Sequence, residues 1–169
     1  GAGLTQSEFS KKIADQSLRH VGLGESLHFV AHYLGLSIDA WSESIEPVLA
    51  DRPVAWSMGT IPAGNALGVH QSAQGMRGGK AVIRLEFIAA IGQPDPHDRI
   101  RIEAEPPIDL LLRGGVHGDL ATVNIVVNAL PSLIDAAPGL HTMATIRPVH
   151  ATAPFSGVSG DRPATHILS

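Results

Sequence analysis

Apolar residues recur at every second position through residues 80–91, and this constrains the chain more than any other feature. Ala81, Ile83, Leu85 and Phe87 fall on one face of an extended strand, while Arg84 and Glu86 point the other way. A helix would scatter these residues around its circumference; a strand with one buried face keeps them together. Residues 99–105 repeat the pattern, with Ile100, Ile102 and Ala104 inward and Arg99, Arg101, Glu103 and Glu105 outward. Further strands are expected at 45–49, 54–58, 64–75 and 108–112. In the 64–75 stretch Leu67, Val69 and Gln71 share one face, and His70 and Ser72 the other. Pro47 cannot donate to a ladder, so it favours an edge or imperfect position for its strand. Arg77-Gly78-Gly79, Pro94-Asp95-Pro96-His97-Asp98 and Pro106-Pro107 supply the turns. The pattern reads as an antiparallel meander with one wet and one dry face.

The helices punctuate this differently. Thr5-Gln6-Ser7-Glu8 has the form of a capping box, opening a helix over 5–17 with Phe9, Ile13 and Ala14 on one face. His20-Val21-Gly22-Leu23-Gly24 breaks the period. A second helix is expected over 25–34, with Leu27, Val30, Ala31 and Leu34 in a stripe and Gly35 at its end. A third runs over 120–134, capped by Asp119 and kinked or shortened by Pro131. Its Val123, Val126, Val127 and Leu130 are placed to cover the dry face of the sheet. The fold class is therefore α+β, a largely antiparallel or mixed sheet with helices packed on one face. Beyond His141 the chain turns irregular, and 150–164 reads as an extended arm or loose tail.

Composition removes several function classes. At 169 residues the chain has room for one ordinary domain, or at most two very small ones. Hydrophobic residues at 44% against 17% charged exclude disorder as its description. A net charge of -4, the lack of a basic run and only 4% aromatic residues argue against a nucleic-acid partner. With no cysteine there is no disulfide, thiolate metal site, iron–sulfur cluster or cysteine nucleophile, which fits a cytoplasmic protein. No apolar run reaches the roughly 18 residues a membrane helix needs. The start, Gly1-Ala2-Gly3-Leu4-Thr5, is neither a signal nor a transit peptide and has no initiator Met, so the chain reads as a processed or excised piece.

Motifs for chemistry are few. His28 and His32 share a helix face, but the intervening Phe29-Val30-Ala31 lacks the zinc-protease Glu and no third ligand is near in sequence, so a packing pair is expected and no metal. Gly1-Ala2-Gly3 and Gly22-Leu23-Gly24 follow no strand and do not complete a dinucleotide fingerprint, and there is no phosphate loop or nucleophile elbow. The informative stretch is Arg113-Gly114-Gly115-Val116-His117-Gly118-Asp119-Leu120-Ala121-Thr122. A strand ends, three glycines permit close backbone approach, and a helix begins with free amides and the positive end of its dipole. His117 can donate a hydrogen bond or a proton there. The same residues also read as a plain glycine-rich turn with a capping Asp119 and a solvated His117.

Gly114-Gly115-Val116-His117-Gly118-Asp119-Leu120-Ala121-Thr122-Val123, then Val127-Asn128-Ala129-Leu130-Pro131 and Pro138-Gly139-Leu140-His141-Thr142-Met143, resembles the C-terminal part of the 2,4-diaminopentanoate dehydrogenases. These are NAD(P)-dependent amine dehydrogenases related to dihydrodipicolinate reductase. Gly1-Ala2-Gly3-Leu4-Thr5, Glu8-Phe9, His20-Val21-Gly22-Leu23, Glu25-Ser26, Ile45-Glu46-Pro47-Val48, Pro62, Gly64, Gly68-Val69, Gln71, Gly75, Leu85-Glu86-Phe87 and Asp95-Pro96 extend the likeness over about residues 1–148.

The resemblance implies a dihydrodipicolinate reductase-like C-terminal domain over 1–148, used for substrate binding and oligomerisation, with 149–169 as a tail. It implies that a Rossmann domain holding NAD(P)H, and the family's Gly/Asn/Pro-rich active-site segment and acidic catalytic residue, lie outside this chain. The reaction implied is hydride transfer between nicotinamide and an amine-bearing carbon, or the imine formed from a ketone and ammonia. His117 would then bind or polarise the amine or ketone substrate and Thr122 would line its pocket. Gly115 and Gly118 would allow close approach beside Asp119, with His70 and Gln71 as further candidates on a neighbouring strand. No catalytic residue is assigned, the fragment alone is expected to be inactive, and a homo-oligomer is expected. A non-catalytic oligomerisation module and a small-ligand-binding module are the competing readings.

Overall fold

The structure is a computed structural model that describes residues 1–18 and 22–151. The break at His20 and Val21, and the expected tail after Ala151, lie outside the described residues. The chain divides into two compact units, Gly1–Pro96 and His97–Ser169.

The first unit contains α1 (Gln6–Ala14), α2 (Leu23–Tyr33), β1 (Ala40–Leu49), β2 (Val54–Trp56), β3 (Gly59–Ile61), β4 (Ala66–Arg77) and β5 (Lys80–Ala90). The capping box forms as expected. The Glu8 amide donates to Thr5 Oγ1 at 3.3 Å, and the Thr5 amide donates to the Glu8 carboxylate at 2.9 Å. The Thr5 amide and the Thr5 hydroxyl both donate to the Glu8 carboxylate and, with Lys12 adding to them, hold it below its ordinary value. At the end of α2 the Leu36 amide reaches Ala31 O at 2.9 Å and the Gly35 amide reaches His32 O at 3.2 Å. Gly35, at φ +65°, supplies the left-handed residue this paired closure needs.

The main sheet is antiparallel in the order β1-β4-β5, and β2 and β3 form a separate hairpin. Pro47 lies on β1, an edge strand, as its missing N–H requires. The core joins Leu23, Leu27 and Ala31 of α2 to Ala73 of β4 and Ile83 of β5. Gly75 permits this approach: a Cβ there would lie 3.2 Å from Ile38 and 3.3 Å from Leu27. Within the first unit the cover of the dry face is therefore α2, where the sequence pattern pointed to the third helix. Val123, Val126, Val127 and Leu130 are each more than half exposed.

The second unit contains β6 (His97–Ile102), β7 (Ile108–Arg113) and α3 (Gly118–Ile134). The two strands form an antiparallel hairpin with Ile100 opposite Leu110 and Ile102 opposite Ile108. Alternation holds, but the expected burial does not: Ile100 and Leu110 are 56% and 59% exposed. On the opposite face Arg99 grips Asp109 through two hydrogen bonds, which lowers the Asp109 carboxyl and raises the Arg99 guanidinium from their ordinary values. The helix α3 continues through Pro131 to Ile134, so the proline does not shorten it. No helix among the described residues is long and apolar enough to cross a membrane.

Candidate functional site

The expected site is a single turn from β7 into α3. After Arg113, Gly114 and Gly115 take φ values of +82° and +65°, a left-handed pair that residues with a Cβ rarely adopt. The Gly115 amide donates to Leu112 O at 3.2 Å. The next amide, of Val116, donates to Asp98 Oδ2 at 2.8 Å. The chain then leaves the turn extended at His117, φ -66° and ψ 109°, and becomes helical at Gly118.

This places His117, not Asp119, at the N-cap, correcting the sequence expectation. The His117 carbonyl accepts the first helical bond, from the Ala121 amide at 2.9 Å. Asp119 stands inside the first turn, where its charge still favours the helix dipole. The cap makes no side-chain hydrogen bond, so no His117 nitrogen takes a first-turn amide. The missed cap has a physical cause: the two left-handed glycines turn the chain early, and the helix starts before its first carboxylate.

Thr122 is one turn further on. Its hydroxyl donates to Gly118 O at 2.8 Å, which commits the proton and leaves the oxygen as an acceptor. It lines a hollow of about 490 Å³ along α3 with Asn124, Ile125, Asn128, Val149 and His150. Gly118 has no atom within 4 Å of where its Cβ would be, so nothing in this chain requires a glycine there. A Cβ on Gly115 would lie 3.7 Å from Asp98 Oδ2 and His97, an ordinary contact; its left-handed φ is what demands glycine.

Gly115, His117, Gly118, Asp119 and Thr122 thus share one continuous segment, whereas His70 belongs to the first unit, on β4 opposite Glu46 of β1 and Ile88 of β5. Its Nε2 is closed off from solvent and has no hydrogen-bond partner among the described residues. Gln71 beside it is fully buried and donates to the Glu43 carboxylate, which gives it a structural bond. His28 packs edge-on to Trp41 with ring centroids 5.5 Å apart. No group of three or more His, Cys, Asp or Glu among the described residues is arranged to hold a metal. Asp98 escaped the sequence reading because it stood in a Pro-Asp-Pro-His-Asp stretch read only as a turn. Its signal was positional: a carboxylate entering one strand of a hairpin whose other strand exits through Gly-Gly.

The model of the 2,4-diaminopentanoate dehydrogenase C-terminal domain family matches residues 1–156. The 2,4-diaminopentanoate dehydrogenase of Acetoanaerobium sticklandii is 31% identical over 150 residues, a match covering 85% of this chain and 42% of the relative. The chain therefore spans less than half the length of that protein. Among solved structures, an amine dehydrogenase from Mycobacterium smegmatis superposes with a TM-score of 0.73 at 21% identity, over 88% of this chain and 45% of that one. That likeness establishes the α+β fold.

Proposed function

This chain belongs to the 2,4-diaminopentanoate dehydrogenase C-terminal domain family, and from that membership we propose that it is the substrate-binding and oligomerisation part of an NAD(P)-dependent, cytoplasmic amine dehydrogenase. Residues 1–148 serve this role, and the cofactor is held mainly by a Rossmann domain that the 169 residues do not contain. The observation that carries the reading is the turn over residues 114–122. Two left-handed glycines deliver His117 to the start of a 17-residue helix whose first-turn amides take no side-chain cap.

The fit to a nicotinamide cofactor is partial, as a divided site requires. The connection from β7 into α3 is rich in glycine but lacks the G-x-G-x-x-G spacing of a pyrophosphate cradle, so these residues suit the reacting end of the pair. When bound, the nicotinamide supplies the hydride exchange at the amine-bearing carbon. The chain's own residues bind and orient. Thr122, its proton committed to Gly118, accepts from an ammonium or amine N–H. His117 hydrogen-bonds the substrate nitrogen, or the ketone oxygen in the reverse direction, and Asp119 adds negative charge beside a cationic amine.

Replacing His117 with Ala in the complete dehydrogenase should lower kcat/KM for the amine by about 100-fold or more, the contribution expected of a positioned proton donor or acceptor. An unchanged kcat/KM removes His117 from the site. The isolated chain should not turn over an amine with NAD(P); measurable turnover would end the divided-site reading. An assembly role is favoured by a separate observation, the exposure of Ile100, Leu110, Val123 and Val126. Sedimentation of the chain as a homo-oligomer is expected, and a monomer at high concentration would count against it.

A further inference from the structure

We infer that Asp98 is a positioning residue for the proposed substrate site, fixing the turn that carries His117. The inference rests on the reading of His117 above. Between the last residue of β7 and the first of α3 lie Gly114, Gly115, Val116 and His117. Two glycines in succession make this connection conformationally loose unless something ties it. The Gly115 amide is tied to Leu112 O within its own strand end, a bond that any tight turn at this place would make. The Val116 amide is tied across the hairpin to the Asp98 carboxylate at 2.8 Å.

Burial does not hold Val116, because its side chain is 56% exposed. Asp98 itself is fixed by the ladder, paired with Leu112 as the second residue of β6. The carboxylate thus joins a defined strand position to the residue immediately before His117. A bond to an ionised acceptor is stronger than a neutral one, and here it restrains the backbone angles that aim the His117 side chain. Asp98 acts through His117 and need not touch substrate.

Two experiments test this. In the 169-residue chain, amide exchange at Val116 should quicken about tenfold or more in Asp98→Ala, since one bond carries its protection. Protection at Ala129, a buried residue of α3 in the same unit, should stay unchanged, which shows that this unit of the variant has folded. Asp98→Asn keeps an acceptor oxygen and should restore much of the Val116 protection. In the complete dehydrogenase, Asp98→Ala should reduce kcat/KM about 10- to 100-fold, as displacement of a bound group by about an ångström does. That loss should vanish when His117 is already Ala, because the two act as a unit.

Unchanged Val116 exchange overturns the inference. So does a loss of the same size with and without His117, which would mark Asp98 as merely structural. If His117→Ala itself leaves kcat/KM unchanged, the site reading falls and this role falls with it. That outcome is distinct from an active-site His117 whose partner proves indifferent.

Discussion

Gly68 offers the most direct test of how the sheet is built. It lies on the central strand β4, between Val48 of β1 and Ala90 of β5. A Cβ there would sit 1.9 Å from Ala89 O, 2.5 Å from Ala90 Cα and 2.8 Å from the Ala89 carbonyl carbon. All three are backbone atoms, so no rotamer change relieves the clash and the β4–β5 ladder must open locally. Overpacking a core costs about 1–3 kcal/mol, and immovable neighbours put Gly68→Ala at the upper end, about 3 kcal/mol. The alanine regains roughly 0.5–1 kcal/mol as a residue less costly to order in a strand, leaving a net loss of about 2 kcal/mol. With a urea slope of about 2 kcal/mol per molar, the unfolding midpoint should fall by about 1 M. Tryptophan fluorescence is the assay, since the two tryptophans of the chain, Trp41 and Trp56, both lie in the first unit. Gly24→Ala is the control. Its Cβ would also be too close to an atom, the Trp41 ring at 2.9 Å. That ring is 47% exposed and can move, and alanine favours a helix by about 1 kcal/mol over glycine. Its midpoint should therefore change little. Equal shifts in the two variants, or a Gly68→Ala midpoint within about 0.3 M of wild type, would refute the backbone-contact argument.

Two further outcomes are expected. The folded chain holds Glu8 and Asp109 below their ordinary carboxyl values, through Thr5 and Arg99 respectively. It therefore binds fewer protons than the unfolded chain between the two values; the stabilisation is full above the ordinary carboxylate range and is lost as pH falls through the lowered values. Acid titration with amide exchange should show the start of α1 losing protection as Glu8 protonates, and Glu8→Gln should flatten that dependence; protection independent of pH would contradict the capping box. For His70, a shielded nitrogen with no partner among the described residues costs about 1–3 kcal/mol, so His70→Leu should raise the urea midpoint of the first unit while impairing the complete enzyme if His70 serves substrate. A lowered midpoint would mean that the ring nitrogen is already satisfied.

Much of the first unit could be read locally because its signals are local. Thr5 and Glu8 close a hydrogen-bonded pair within one turn, Gly35 closes α2 within another, and Pro47 constrains only its own strand. The alternation of β5 likewise assigned Ile83 to the buried face. The partner of that face is a different matter. What brings α2 onto the sheet is Gly75, whose missing side chain opens a place for Ile38 and Leu27, and neither residue is close to Gly75 in sequence. A helix stripe states that something will be covered, and only a long-range fit decides what. The third helix had the more apolar sequence and was the natural choice on pattern alone.

The second unit shows why alternation and burial are separate statements. Residues 99–105 and 80–91 carry the same period, yet Ile83 is buried and Ile100 is 56% exposed. Period two records which side chains share a face; it contains no information about the body that faces them. The site has the same logic. Glycines, a histidine and a helix start were visible in one run of ten residues, from Arg113 to Thr122. The cap was misassigned because backbone φ at Gly114 and Gly115, not residue preference, sets where α3 begins. Asp98 was missed because its bond to Val116 spans 18 residues. The groups on the 114–122 segment are legible as chemistry, and the contact that fixes them is legible only as geometry. A two-stranded hairpin with an open apolar face is marginal alone in water. The strand that supplies Asp98 therefore has its own reason to be covered, and covering it would stiffen the anchor of His117 at the same stroke.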